Sequence, residues 1–195
     1  MKKFLLSLLV VGLMATSAFA SATSEYQAAK KEADAKNFQL ALDHYNNAVK
    51  QDPNFADAYI EKAVLETLMD KKDEAEKSVT KYIQLRPNDT KGYNARATLY
   101  VFEDRASEAL TDLNKSLEID PKNYETLNGR AIANFKLKNK QQAYADIEKS
   151  FEVSPNNPAT YRTKALIELF DKRFIAWWLD SRTADRLEKE NVTKK

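Results

Sequence analysis

The chain has 195 residues, of which 31 are Lys or Arg, 29 are Asp or Glu, one is His and none is Cys. Without Cys there can be no disulfide, thiolate metal site or thiol nucleophile, and three glycines are too few for a glycine-rich phosphate loop. Residues 1–20 carry Lys2 and Lys3 and no acid, so the rest of the chain is neutral and offers no bulk attraction to nucleic acid or to an anionic bilayer.

The first segment, residues 1–20, has the pattern of a secretory signal peptide. Lys2 and Lys3 precede an apolar stretch over residues 4–14, and an A-x-A sequence ends at Ala20. The stretch is shorter than the roughly 17–25 apolar residues of a membrane-spanning helix, which argues against the alternative of an uncleaved anchor. We therefore predict cleavage after Ala20, no integral membrane span afterwards, and a periplasmic or secreted protein.

The rest of the chain is organised by a period of 34 residues. The residues that recur at this spacing are Pro53, Pro87, Pro121 and Pro155, then Ala41, Ala75, Ala109 and Ala143, and then Ala29, Ala63, Ala97, Ala131 and Ala165. Between the prolines, apolar residues follow helical spacing on one stripe, so each unit is predicted to form two helices that need a neighbour to bury that stripe. In chain order the helices are predicted near 23–35, 38–51, 56–69, 72–85, 90–103, 106–119, 124–137, 140–153, 158–170 and 173–190.

This period and these residues resemble the tetratricopeptide repeat. The resemblance implies an all-α fold, a right-handed superhelical solenoid of helix–turn–helix repeats, with the two alanine columns where paired helices cross closely. It divides the mature chain into an array over residues 21–172, with four repeats and the first helix of a fifth, and a divergent capping helix and tail over residues 173–195.

The resemblance also implies a function, because the first helices of this family line a concave groove that holds an extended peptide or a partner's helix. The positions carried over lie three to four residues apart on each first helix and share a stripe, although packing between helices is the alternative for any one of them. The expected partner is a protein or peptide of unknown identity, not nucleic acid. The partner-binding groove predicted in this way consists of Ile60, Val64, Thr67, Asn94, Thr98, Val101, Asn128, Ile132, Phe135, Arg162, Leu166 and Leu169.

Two tryptophans mark the divergent last helix. Trp177 stands where the small alanine would recur, and Trp178 points about 100° away from it around a helix. We expect one of them to seal the last repeat, and a contact in a homo-oligomer is the alternative.

Charged residues also follow the period. The column of bases consists of Lys62, Arg96, Arg130 and Lys164, and the column of acids of Asp112, Asp146 and Asp180. A basic ladder for an anionic ligand is one interpretation. Pairing of these bases with the acids between packed helices is favoured, since both columns share one period.

No pattern indicates catalysis, a cofactor or a metal. His44 is the single imidazole, and no nucleophile motif or metal-ligand spacing accompanies it. The leading hypothesis is a non-catalytic interaction scaffold or adaptor in the bacterial envelope that binds a partner peptide or helix. The alternative is a self-assembling structural protein that uses the Trp-rich C-terminal helix, and an enzyme is a third hypothesis without a motif in its favour.

Overall fold

The computed structural model describes residues 20–171 and 174–192, with the backbone alone for residues 174–179 and 191–192. The predicted signal peptide, apart from Ala20, lies outside the described residues. Within the described ranges the chain is all-helical, as the period predicts. No helix in these ranges is both long enough and apolar enough to cross a membrane.

The chain divides into two compact units, Met1–Pro87 and Asn88–Lys195. Most helix boundaries agree with the prediction to within one or two residues. The helices of the first unit are α1 over residues 20–34, α2 Phe38–Gln51, α3 Ala56–Leu68 and α4 Lys72–Leu85. The helices of the second unit are α5 Thr90–Phe102, α6 Ala106–Ile119, α7 Tyr124–Lys136, α8 Lys140–Val153, α9 Pro158–Phe170 and α10 Phe174–Val192.

The core of the first unit is built on small residues and tyrosines. Tyr26 of α1 lies against Tyr45 of α2 and against Phe55, with ring centroids 6.0 and 5.0 Å apart. Ala29 and Ala41 are fully buried beside them. Burial raises the pKa of the Tyr45 hydroxyl, which therefore stays protonated in the folded unit.

In the second unit, α5 packs against α6, α7 against α8 and α9 against α10, and the first helices α5, α7 and α9 also contact one another in that order. The two alanine columns lie in these contacts, as predicted. Ala109 and Ala143 have no exposed surface, and Ala97 and Ala131 are at most 1% exposed. A side chain this small lets two helices approach closely, so the period in the sequence is a period of close contacts.

The turns inside the repeats contain a feature that the sequence pattern did not predict. Four non-glycine residues at the 34-residue spacing have left-handed backbones, namely Lys36, Asp70, Asp104 and Lys138, with φ of 63°, 58°, 61° and 64°. The backbone N–H of the residue after each of them donates to the carbonyl five residues earlier, as in a Schellman motif; for example, Asn139 N donates to Asn134 O at 2.9 Å. These turns end the first helices α1, α3, α5 and α7 at equivalent positions of the repeat.

A glycine at such a turn is expected to stabilise the protein, because the left-handed conformation strains a residue that has a Cβ atom. We predict that Lys138→Gly raises the free energy of unfolding by up to about 1 kcal/mol, measured by urea unfolding. The matched control is Lys149→Gly, at an exposed position inside α8, which should lower it by about 1 kcal/mol. Equal effects of the two substitutions would contradict the assignment of strain to the turn.

Candidate functional site: an apolar pocket on the second unit

The first helices of the second unit leave apolar side chains in solvent. Each first helix has a buried alanine that faces the paired second helix. The residue after this alanine, and the residue four positions further on, face away from the second helix, because one residue turns a helix by about 100°. Phe102, Leu166 and Phe170 are 76%, 41% and 68% exposed. These three large exposed side chains lie on α5 and α9, the two helices that flank α7, and exposed apolar side chains of this kind mark interaction sites.

A cavity of about 340 Å³ opens in this patch, between α5, α7 and α9. It exists because the residues beneath it are small. Gly129 has no side chain, and a methyl group in its place would lie 3.0 Å from Leu113 Cδ2 of α6. The residues that line the cavity are Ala97, Thr98, Val101, Phe102, Leu113, Gly129, Ile132, Lys136 and Leu166.

The polar atoms of the lining are already engaged. Thr98 Oγ1 donates to the carbonyl of Asn94 in its own helix at 2.8 Å. Lys136 Nζ donates to Asp104 Oδ1 at 2.9 Å, in the turn after α5. The pocket therefore presents apolar surface with a neutralised charge at its rim.

Four members of the predicted partner-binding groove come together here, namely Thr98, Val101, Ile132 and Leu166. Val101, Phe135 and Leu169 are partly buried, and Phe135 packs on the cluster around Ile147. Arg162 is exposed and forms ion pairs with Asp185 at 3.9 Å and with Glu188.

The two predicted amides take part in packing between first helices. Asn94 Oδ1 accepts a hydrogen bond from Thr126 Oγ1 at 2.9 Å, and Asn128 Nδ2 donates to Thr160 Oγ1 at 3.2 Å. Asn128 is only 6% exposed, so its burial argues against a direct contact with a peptide backbone. Sequence alone does not distinguish this bond from a ligand contact, because an amide serves both.

In the first unit the predicted residues diverge. Ile60 is 1% exposed, which argues against direct contact with a partner, whereas Val64 is 51% exposed. Thr67 donates its hydroxyl to the carbonyl of Ala63 at 2.8 Å, as Thr98 does within its own helix. Leu68, four residues after Val64, is 67% exposed.

The groove predicted from the sequence does not include the row of Leu68, Phe102, Lys136 and Phe170. Its signal was available, because these residues lie four positions after Val64, Thr98, Ile132 and Leu166, on the same stripe. The prediction instead followed the spacing of three, which leads to the partly buried Thr67, Val101, Phe135 and Leu169.

The Trp prediction falls outside the described side chains. Trp177 and Trp178 lie on the backbone of α10, and nothing is described of their rings. Beyond them, Ala184 is fully buried, and α10 packs against α9.

The charged columns pair, as favoured from the sequence. Arg96 binds both oxygens of Asp112 at 2.8 Å, and Arg130 binds those of Asp146 at 3.0 and 2.6 Å. Lys164 Nζ lies 2.7 Å from Asp180 Oδ2. The bases of the second unit therefore join helices, and this pairing argues against a basic ladder.

In the first unit the acid that pairs with the base lies at a different position of the repeat. Ser78 occupies the acid position, and the buried Glu66 replaces it, 3.3 Å from Lys62 Nζ. Ser78 Oγ donates to the same carboxylate at 2.7 Å. The pairing in this repeat therefore survives a change of residue type at the expected position.

The single histidine also serves packing. His44 Nδ1 lies 2.7 Å from Glu25 Oε2, a half-buried contact that joins α1 and α2. In the part of the chain that the structure describes, no group of three His, Cys, Asp or Glu side chains is placed to hold a metal ion.

Comparison with known proteins agrees with this architecture. Residues 90–123, which contain α5 and α6, match the tetratricopeptide repeat as a sequence family. No curated protein matches the sequence.

Solved structures share the fold at low identity. A thermophilic tetratricopeptide-repeat protein from Thermus thermophilus superposes with a TM-score of 0.74 at 15% identity, covering 88% of this chain and 94% of its own. A tetratricopeptide-repeat protein from Parabacteroides merdae gives 0.72 at 22% identity, covering 92% and 73%. PilF of Pseudomonas aeruginosa gives 0.71 at 16% identity, covering 87% and 78%.

At these identities the likeness is one of fold. Proteins built from this repeat are generally protein–protein interaction scaffolds. The matched repeat at 90–123, the period that runs through both units and the shared fold lead to one conclusion: residues 90–123 form a tetratricopeptide repeat, and the chain has the fold of tetratricopeptide-repeat proteins.

Proposed function

We propose that the chain is an exported, non-catalytic interaction protein that holds an apolar segment of an envelope protein on its second unit. The observation that carries the proposal is the pocket of about 340 Å³ whose lining includes the exposed Phe102 and Leu166. Apolar pockets rimmed by a few polar groups are where proteins bind ligands and partner side chains. The leader at residues 1–20 supports export, and the residue pattern supports binding without turnover.

The energetics favour a partner that brings its own apolar side chains. Exposed Phe and Leu gain about 25 cal/mol for each Å² that a partner covers. A few such side chains at the centre of a contact usually carry most of the affinity. Phe102 and Leu166 are the best candidates, because both line the pocket and both are exposed in the free chain.

The test is partner capture from envelope extract by residues 21–195, followed by an affinity measurement on the purified partner. We expect Phe102→Ala with Leu166→Ala to weaken that affinity at least about tenfold, since truncation of a central contact costs more than 1 kcal/mol. The matched control is Leu68→Ala with Val64→Ala, at the equivalent positions of the first unit. This control should leave the affinity for the partner within about twofold of that of the unsubstituted chain.

Unchanged affinity in the Phe102 and Leu166 double variant would show that the pocket is not the binding site.

The alternative function, self-assembly through the Trp-rich helix, has its own readout. Sedimentation of residues 21–195 over a concentration series would reveal self-association, and a strictly monomeric species would remove that alternative.

A further inference from the structure

We infer that the pocket of the second unit selects an uncharged segment with one bulky aromatic side chain, in preference to an aliphatic or a charged one. The inference rests on the proposed function and names the chemistry of the partner at the same site.

The first argument is the volume of the pocket. A cavity of about 150 Å³ with Leu, Ile and Phe walls already accepts benzene. The pocket here has about 340 Å³, with Leu113 and Ile132 in its lining and the small Gly129 beneath. A two-ring side chain therefore fits, whereas a smaller aliphatic side chain would leave space that only water could fill.

The second argument is the lining itself. Phe102 offers an aromatic wall that is 76% exposed, and aromatic pairs interact more strongly than their buried area alone predicts. Lys136 also lines the pocket, with its ammonium paired to Asp104 at the rim, and a cation attracts the face of an aromatic ring but not an aliphatic chain. Both features distinguish an aromatic guest from an aliphatic one.

The third argument is charge. Lys136 already donates to Asp104 at 2.9 Å, and the Asp104 side chain is 89% exposed beside it. Because the two charges neutralise each other, neither an acidic nor a basic guest meets a net opposite charge at the rim, and either one would have to break this pair to gain a partner. Because Thr98 uses its hydroxyl within its own helix, it too leaves no donor for a carboxylate.

The experiment uses three small probes on residues 21–195 with labelled methyl groups. The probes are N-acetyltryptophanamide, N-acetylleucinamide and the charged N-acetyltryptophan. We expect the tryptophan amide to shift the methyl signals of Ile132 and Leu166, to bind at least about fivefold more tightly than the leucine amide, and to be insensitive to added salt. The carboxylate form should bind more weakly than the amide.

Two substitutions at equivalent positions of the repeat test whether the probes bind in this pocket. Thr98→Trp fills the pocket from an exposed helix position and should abolish the shifts, whereas Val64→Trp, its counterpart in the first unit, should leave them unchanged. Phe102→Ala provides a second variant that adds no bulk and should weaken the tryptophan probe more than the leucine probe. Thermal unfolding checks that each variant is folded.

Equal affinity for the two amides, tighter binding of the carboxylate, or binding that survives Thr98→Trp would each overturn the inference. The proposed function fails separately. If the Phe102 and Leu166 double variant loses the partner while the probes show no preference, the site stands and the selectivity is wrong. If the probes bind as expected and partner capture is unchanged, the pocket accepts aromatic groups and the proposed function is wrong.

Discussion

Replacement of Asp146 by alanine is expected to lower the free energy of unfolding by about 3 kcal/mol, at the lower end of the range for a broken buried ion pair. Asp146 is 5% exposed and accepts two hydrogen bonds from Arg130 of α7 and one from Asn134 Nδ2 at 3.2 Å. Its removal leaves the guanidinium of Arg130, whose side chain is about one-quarter exposed, without its counter-charge. Solvent access to Arg130 is the reason for choosing the lower end.

Two controls separate charge from packing in this prediction. The double variant Arg130→Met with Asp146→Leu removes both charges and should cost less than Asp146→Ala alone, because no buried charge is left unpaired. Glu118→Ala breaks the exposed pair with Lys115 and should cost less than about 1 kcal/mol. Urea unfolding followed by circular dichroism measures all three, and a double variant less stable than the single one would contradict the argument.

The second large effect is expected from two adjacent residues of α9. Ile167 is 1% exposed and packs with Ala131, Ala143 and Ile147, so Ile167→Ala should cost about 2–5 kcal/mol through lost burial and a cavity. Leu166 is 41% exposed and lines the pocket, so Leu166→Ala should cost less than about 0.5 kcal/mol.

Binding of a partner should respond in the opposite order. Leu166→Ala should weaken affinity by about tenfold, whereas Ile167→Ala should leave the affinity of the folded fraction nearly unchanged. The measurement pairs unfolding curves with partner titration for both variants. If a single variant showed the larger effect in both assays, the division between core and site on α9 would be wrong.

The positions of the helices could be predicted from the sequence because local features determine them. Prolines at a constant spacing end the second helices, and helical spacing of apolar residues marks each stripe. The pairing of Arg96 with Asp112 was also predictable, because opposite charges with the same period face each other in the repeats of the second unit.

The site was only partly predictable. Thr98, Val101, Ile132 and Leu166 line the pocket, but the same columns also place Ile60 and Asn128 in the interior. Equivalent positions have different environments because each depends on the neighbouring repeat. Asn128 is buried and hydrogen-bonded to Thr160 of the next first helix. Thr98 instead borders the cavity, where Gly129 has no side chain to fill the space.

The sequence by itself therefore determined the repeat, the order and limits of the helices, and the small residues at their crossings, since these follow from backbone geometry and residue size along one chain. Only the tertiary structure decided which members of the groove columns are exposed, that the row of Phe102 and Phe170 is the outer one, and that a pocket lies above Gly129. Exposure depends on which side chains of the adjacent helices cover a residue, and sequence spacing within one helix does not contain that information.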